Sequence, residues 1–307
     1  MRDLILNFPK RFSEGIALAR GHAVQEPFRR IITCGMGASA IPGEILSMLR
    51  TDIVVHWDYD LPAGADTKDL IVCTSWSGNT EETVSSFGQA VALGLNVIAI
   101  TKGGALAERA QAAGKPLVTL PANDIPPRVG ISLMTGALLA LLGMSAQLPT
   151  ALDSAGLEEE GKRLARIIGG KIPLIYSTYR WRKLAGFWKI LFNENAKIHA
   201  FSNNFPSAAH NEIAGFSGAT KDSVSVILLD DPDADVRERR MVTAVLALFD
   251  EMRYPYSIVK LSPGTSMLDT IFGSYLLALW TSYAVATNLG VDPGAAELVE
   301  KFKKLKT

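Results

Sequence analysis

Neither charge is in surplus: Lys+Arg and Asp+Glu number 31 each in 307 residues. Counterion release from DNA or RNA needs a basic surface, so charge excludes a nucleic-acid partner and retention on an anionic membrane. A small anionic ligand is not excluded, because a phosphate needs only a few local donors. Cysteine is scarce too. Cys34 and Cys73 each end an apolar run, and there is no Cys-x-x-Cys and no His-rich cluster. No disulfide framework or metal-ligand spacing is therefore expected. Two buried free thiols point to a reducing compartment, and the charges that interrupt Met1–Phe12 are unlike a secretory leader, so the cytoplasm is the expected location. Charge is also missing from Val129 to Pro149 and from Ile271 to Gly290. Both stretches are long enough to span a membrane, but both contain Ser, Thr or Asn, and neither has a one-sided Lys/Arg flank. They are predicted to be buried core or subunit-interface helices.

What is present is an alternation of short β-branched runs with longer segments of helical spacing, the pattern of parallel sheets with helices on both faces. After an opening helix over Asp3 to Arg20, strands are predicted at Ile31–Cys34, Ile53–Trp57, Leu70–Thr74, Val97–Ile100 and Leu117–Thr119. The second half repeats the theme at Pro173–Ser177, Lys197–Phe201, Ser223–Leu228 and Tyr256–Val259. The uncharged segments and a charged tail helix, Ala296 to Lys304, complete the chain. The expected fold is two doubly wound α/β domains, 1–150 and 151–307, with the boundary drawn from a composition shift and Pro149.

In Cys73-Thr-Ser-Trp-Ser-Gly-Asn-Thr80 a strand runs through a hydroxyl-rich turn straight into a helix. Such a turn gathers unpaired N–H groups, the positive helix end and the hydroxyls of Ser75, Ser77 and Thr80, which together suit an anion. A plain Ser/Thr N-cap reads the same residues equally well, and spacing alone leaves both open. A second junction of this kind is Cys34-Gly-Met-Gly-Ala-Ser-Ala40. Its glycines form Gly-x-Gly-x-x-Ala, but no acidic residue ends the following strand, so a dinucleotide site is rejected. Two cradles on adjacent strand ends suit one small phosphorylated ligand at a topological switch point.

These loops resemble the sugar isomerase (SIS) domain, and the whole chain is similar to the bifunctional phosphoglucose/phosphomannose isomerases. The likeness is carried in order by Gly35–Ser39, Ser75–Thr80, Pro126-Pro-Arg128, Phe192-Asn-Glu-Asn-Ala-Lys197, Ala209-His-Asn-Glu-Ile-Ala-Gly215, Asp292-Pro and Lys303. It implies conversion of an aldose 6-phosphate into fructose 6-phosphate through an enediol, with no cofactor or metal. It further implies that Gly37, Ser39, Ser75, Ser77 and Thr80 hold the phosphate and Glu194 moves the proton between C1 and C2. His210 would open the ring, Arg128 would stabilise the enediolate and Lys303 would line the site. A homodimer with shared sites follows, because the family's ring-opening histidine reaches across from the neighbouring subunit.

The residue chemistry is compatible with those roles. A carboxylate suits carbon-to-carbon proton transfer, and Glu194 stands between two asparagines at the end of a helix. Histidine exchanges protons near neutral pH, and His210 is one of only four. Glu212 is a second candidate base. Arg128 follows two stiffening prolines at a helix start, where a cation opposes the dipole and lacks a structural reason. Two departures stand out. Ala38 and Ala40 replace the family's second glycine pair, and Gly294-Ala-Ala296 stands where dual-specificity members carry threonine, which bears on whether both glucose and mannose 6-phosphates are accepted. The competing readings are a non-catalytic sugar-phosphate sensor and an enzyme of amino-sugar or pentose phosphates. A sensor would usually carry a basic helix-turn-helix, which this sequence lacks.

Overall fold

The computed structural model describes residues 1–24, 27–121, 124–261 and 266–306. The chain divides into two units, Asn7–Thr150 and Ala151–Thr307, the latter joined by Met1–Leu6. Instead of one opening helix there are two, Arg2–Leu6 and Arg11–Leu18. The break falls at Asn7 to Lys10, where Pro9 has no N–H to continue the ladder.

In the first unit five parallel strands take the order β2-β1-β3-β4-β5. They are β1 (Arg30–Cys34), β2 (Ile53–His56), β3 (Asp69–Ser75), β4 (Asn96–Thr101) and β5 (Leu117–Thr119). Because β3 is buried along its whole length, its centre, Leu70–Cys73, reads as an unbroken apolar run rather than an alternating one. One face packs Ile32, Cys34, Ile71, Cys73 and Val97 against Phe87 and Leu106 of two helices. Both cysteines are free and buried. The uncharged segment forms helix Ile131–Leu141, nearly all of it buried. It lies close against Arg11–Leu18. A Cβ on Gly15 would stand 2.0 Å from the Leu133 carbonyl, and one on Gly136 would stand 2.1 Å from that of Phe12.

Four parallel strands in the order β7-β6-β8-β9 make the sheet of the second unit. They are β6 (Ile172–Thr178), β7 (Phe201–Phe205), β8 (Val224–Asp230) and β9 (Tyr256–Lys260). The prediction of a strand at Lys197–Phe201 is corrected to β7, which starts where that run ends. Its Ser-Asn-Asn centre is polar because β7 is an edge strand with partly exposed side chains. The second uncharged segment lies in helix Met267–Leu289, capped by Ser266 and closed by Gly290 at φ +68°. It buries Tyr275 and Trp280, and its polar atoms are satisfied within the unit: Trp188 Nε1 donates to Ser274 Oγ at 2.9 Å and Trp280 Nε1 to the Ser154 carbonyl at 2.7 Å. Among the described residues, no helix is long and apolar enough to cross a membrane.

Candidate active site

The two loops expected from the sequence to hold phosphate belong to the first unit. β1 and β3 are neighbours with Cys34 opposite Cys73, so the segments after them emerge side by side. Ser39, after β1, reaches the second loop: its Oγ accepts from the Trp76 N–H at 3.0 Å. Gly37 opens that turn at φ +53°. Ser75 is fully buried; its Oγ accepts from the Gly78 N–H at 3.1 Å and shares a 2.9 Å hydrogen bond with Thr80 Oγ1. Ser77 is exposed, and its Oγ accepts from the Asn79 N–H at 3.3 Å.

Thr80 stands at the N-cap of helix Glu81–Ala92 with extended backbone, yet its side chain does not cap that helix. The hydroxyl that would accept from the first turn is bonded to Ser75 instead. The usual self-satisfaction of the helix start by threonine is thus diverted, and the positive end of the dipole faces the loop rather than a side-chain oxygen of Thr80. Of the two first-turn carboxylates, Glu81 is drawn aside by Tyr59, whose hydroxyl donates to it at 2.9 Å.

Gly103, Ala105 and Leu106, which the sequence reading did not single out, brace this loop at Gly78 and Asn79. Gly78 has φ +77°, and a Cβ there would stand 1.7 Å from the Gly103 carbonyl. The Leu106 N–H donates to the Gly78 carbonyl at 2.9 Å, and the Ala105 N–H to Asn79 Oδ1 at 3.0 Å. Arg128 comes from a turn in which the N–H groups of Val129 and Gly130 both donate to the Pro126 carbonyl. That turn is packed on the loop: a Cβ on Gly130 would stand 2.3 Å from the Trp76 ring. Arg128 itself is 3% exposed. Glycines facing a tryptophan or a carbonyl are visible in a sequence, but their partners are not.

The second unit holds Glu194, His210 and Lys303 on three separate elements. Helix Arg182–Leu191 continues into a π-helical turn, Phe192–Ala196, with Glu194 half-buried at its centre. Such turns bulge one side chain out of the regular stack and recur at functional positions. The flanking asparagines are anchored: Asn193 Nδ2 donates to the Ile198 carbonyl and Asn195 Nδ2 to Ser282 Oγ, both at 2.9 Å. His210 lies exposed on the short helix Ser207–Asn211. Glu212 is fully engaged, accepting from the Tyr176 hydroxyl at 2.5 Å and from Asn203 Nδ2 at 2.6 Å. Burial, and then this bond, push the Tyr176 hydroxyl far above its ordinary pKa. Lys303, on the tail helix Glu297–Lys306, is exposed and paired with Glu300 at 2.7 Å. No group of three or more His, Cys, Asp or Glu able to hold a metal occurs among the described residues.

Comparison with known proteins agrees with this architecture. The family described as the bacterial phospho-glucose isomerase C-terminal SIS domain matches residues 157–305. Over 290 residues the chain is 32% identical to the bifunctional phosphoglucose/phosphomannose isomerase of Aquifex aeolicus, covering 91% of this chain and 90% of that protein. The chain belongs to the bifunctional phosphoglucose/phosphomannose isomerase family. It is therefore a sugar-phosphate isomerase family enzyme. The D-glucosamine-6-phosphate 4-epimerase of Sulfolobus acidocaldarius is also similar, at 29% identity over 305 residues, covering 96% of this chain and 94% of that one. The fold is shared with the crystal structure of a hypothetical protein from Thermus thermophilus, at TM-score 0.74 and 16% identity over 98% of this chain and 88% of that one. As in this isomerase family generally, the substrate implied is a sugar phosphate.

Proposed function

We propose that the chain interconverts glucose 6-phosphate and fructose 6-phosphate through an enediol. The observation that carries this reading is the diverted cap: Thr80 bonds Ser75 rather than its own helix, which leaves the start of helix Glu81–Ala92 as an anion site lined by Ser77 and Thr80. Ser39 and Ser75 act mainly as struts that join and shape the two loops. With the phosphate fixed there, His210 shuttles the proton that opens the ring. Glu194 takes the C2 proton of the aldose, and the charge that collects on O1 is met by the Arg128 guanidinium. Glu194 then returns the proton to C1 while the O2 hydroxyl proton passes to O1, leaving the ketone at C2, so no proton or electron is gained or lost overall. The engaged carboxylate of Glu212 is a poor competitor for this role, because both of its oxygens already accept hydrogen bonds. An exposed His210 suits a homodimer in which this residue serves the partner's site, and two buried thiols suit the cytoplasm. Lys303, paired with Glu300, is given no step.

The similarity to an amino-sugar phosphate epimerase favours one alternative, an enzyme acting on glucosamine 6-phosphate through the same phosphate cradle. Coupled assays with glucose 6-phosphate, mannose 6-phosphate and glucosamine 6-phosphate separate the readings. Appearance of fructose 6-phosphate from glucose 6-phosphate is the expected result. Turnover of the amino sugar alone transfers the assignment to the epimerase class. Binding of all three sugars without turnover transfers it to a sensor.

A further inference from the structure

Two irregularities stand next to each other at the end of helix Arg182–Leu191. The π-helical turn Phe192–Ala196 carries Glu194, and the residue that closes it, Lys197, has left-handed backbone, φ +58° and ψ +30°. Glycine or asparagine usually takes that position, because a Cβ there meets the following carbonyl. A lysine kept in a disfavoured conformation needs a reason in its side chain.

That reason is visible in its hydrogen bonds. The Lys197 ammonium donates to the carbonyl of Glu194 and to the carbonyl of Ala295. The first lies at a helix end, where the regular ladder runs out of N–H donors and side-chain cations take their place. The second belongs to the loop before the tail helix, far away in sequence. The loop is itself ordered by Asp292, whose Oδ1 accepts from the Gly294 N–H at 2.7 Å. With Asn193 and Asn195 tied to Ile198 and Ser282, the turn is gripped on either side of Glu194. Lys197 adds the grip on the Glu194 peptide itself, and joins it to a second element.

We propose that Lys197 is a positioning residue for Glu194, fixing the base-bearing turn to the Asp292–Ala296 loop so that the carboxylate stands at one place relative to the sugar. The proposal rests on the assignment of Glu194 as the proton carrier. Displacing a reacting group by about 1 Å costs on the order of 100-fold in rate. A lysine that only capped the helix would contribute to stability and leave the chemical step alone.

The test compares Lys197→Gly, Lys197→Met and Glu194→Gln with the parent, using glucose 6-phosphate and its C2-deuterated form. Glycine relieves the left-handed backbone while removing the ammonium, and methionine removes the ammonium while keeping the backbone demand. In both, kcat is expected to fall roughly 100-fold with KM within about twofold of the parent. The deuterium isotope effect on kcat is expected to rise as proton transfer becomes limiting. The Tm of Lys197→Gly should be no lower than that of the parent. Parent-like kcat in both lysine variants, beside an inactive Glu194→Gln, overturns the role of Lys197 and leaves the base assignment standing. A fall in kcat that tracks Tm with an unchanged isotope effect also overturns it, marking a structural residue. Parent-like activity of Glu194→Gln removes the base itself, and the proposal with it.

Discussion

In the first sheet β1 lies between β2 and β3, with β4 beyond; in the second, β6 lies between β7 and β8, with β9 beyond. Over these four strands the plans match, the first sheet adding β5 beyond β4, and in each the chain reverses its winding at the crevice between β1 and β3 or between β6 and β8. The loops placed there differ. After β3 the first unit has Trp76-Ser-Gly-Asn-Thr80, and the threonine leaves its helix uncapped by its own hydroxyl. After β8 the second unit has Asp231-Pro-Asp-Ala-Asp235. Here Asp235 does cap its helix, Val236–Glu251, accepting from the Arg237 N–H at 2.8 Å. Asp231 folds back on the Asp233 N–H at 3.0 Å. One helix start is left for an anion from outside, while the other is already occupied by an anion of the chain. The same skeleton thus yields one helix start without a side-chain cap, the proposed phosphate site, and one acid-filled turn, so the fold supplies the place and the local residues decide its use.

The contrast can be broken most severely at Gly78. A Cβ there would collide with the Gly103 carbonyl at 1.7 Å. Gly78→Ala is expected to distort the cradle and raise KM for a sugar phosphate on the order of 100-fold, with the circular dichroism of the fold retained. An unchanged KM would mean that the phosphate does not use this loop.

How much of this could be read in the sequence depends on the kind of feature. The central strands were legible because their β-branched runs are buried on both faces, as β3 shows. The edge strand β7 was displaced because Ile198 and Ala200 imitate a strand, while the true one is Phe-Ser-Asn-Asn-Phe. The hydroxyl loop was legible as composition, but the choice between cap and cradle was not. It hangs on which way one threonine side chain turns, and spacing does not encode that. The π-helical turn under Glu194 was invisible for a related reason, since helical periodicity assumes an even 3.6-residue repeat. Lys197 and Glu212 draw their meaning from Ala295, Tyr176 and Asn203, partners that only the folded chain identifies.

The opposite ends of the central strands sharpen the comparison from the side of stability. β1 and β3 start with Arg30 facing Asp69 in register, whereas β6 and β8 start with Ile172 facing Val224. Asp69 is fully buried and receives both Arg29 and Arg30 at 2.8 Å. Burial by itself would raise its pKa, but the hydrogen bonds from Arg29 and then Arg30 outweigh it and hold the carboxyl well below the usual range. Because the folded pKa is depressed, the stabilisation is present above the unfolded carboxylate value, about 3.9, and is lost as pH falls through the folded value. Asp69→Asn is expected to cost the first unit about 2 kcal/mol at neutral pH, below the range for a fully buried pair because both arginines are partly exposed. Urea melts of parent and variant should converge progressively as pH falls below about 4. A deficit that persists unchanged at low pH would show that packing, and not charge, holds these strand starts.

The most direct test of the division between the two loops is a titration of the isotope-labelled Glu194→Gln protein with glucose 6-phosphate, following backbone amide resonances. The account predicts shifts at Ser77 to Glu82, at the start of helix Glu81–Ala92, with those of Asp233 to Glu238 left in place. Shifts at the acidic turn, with the serine loop unmoved, would contradict it.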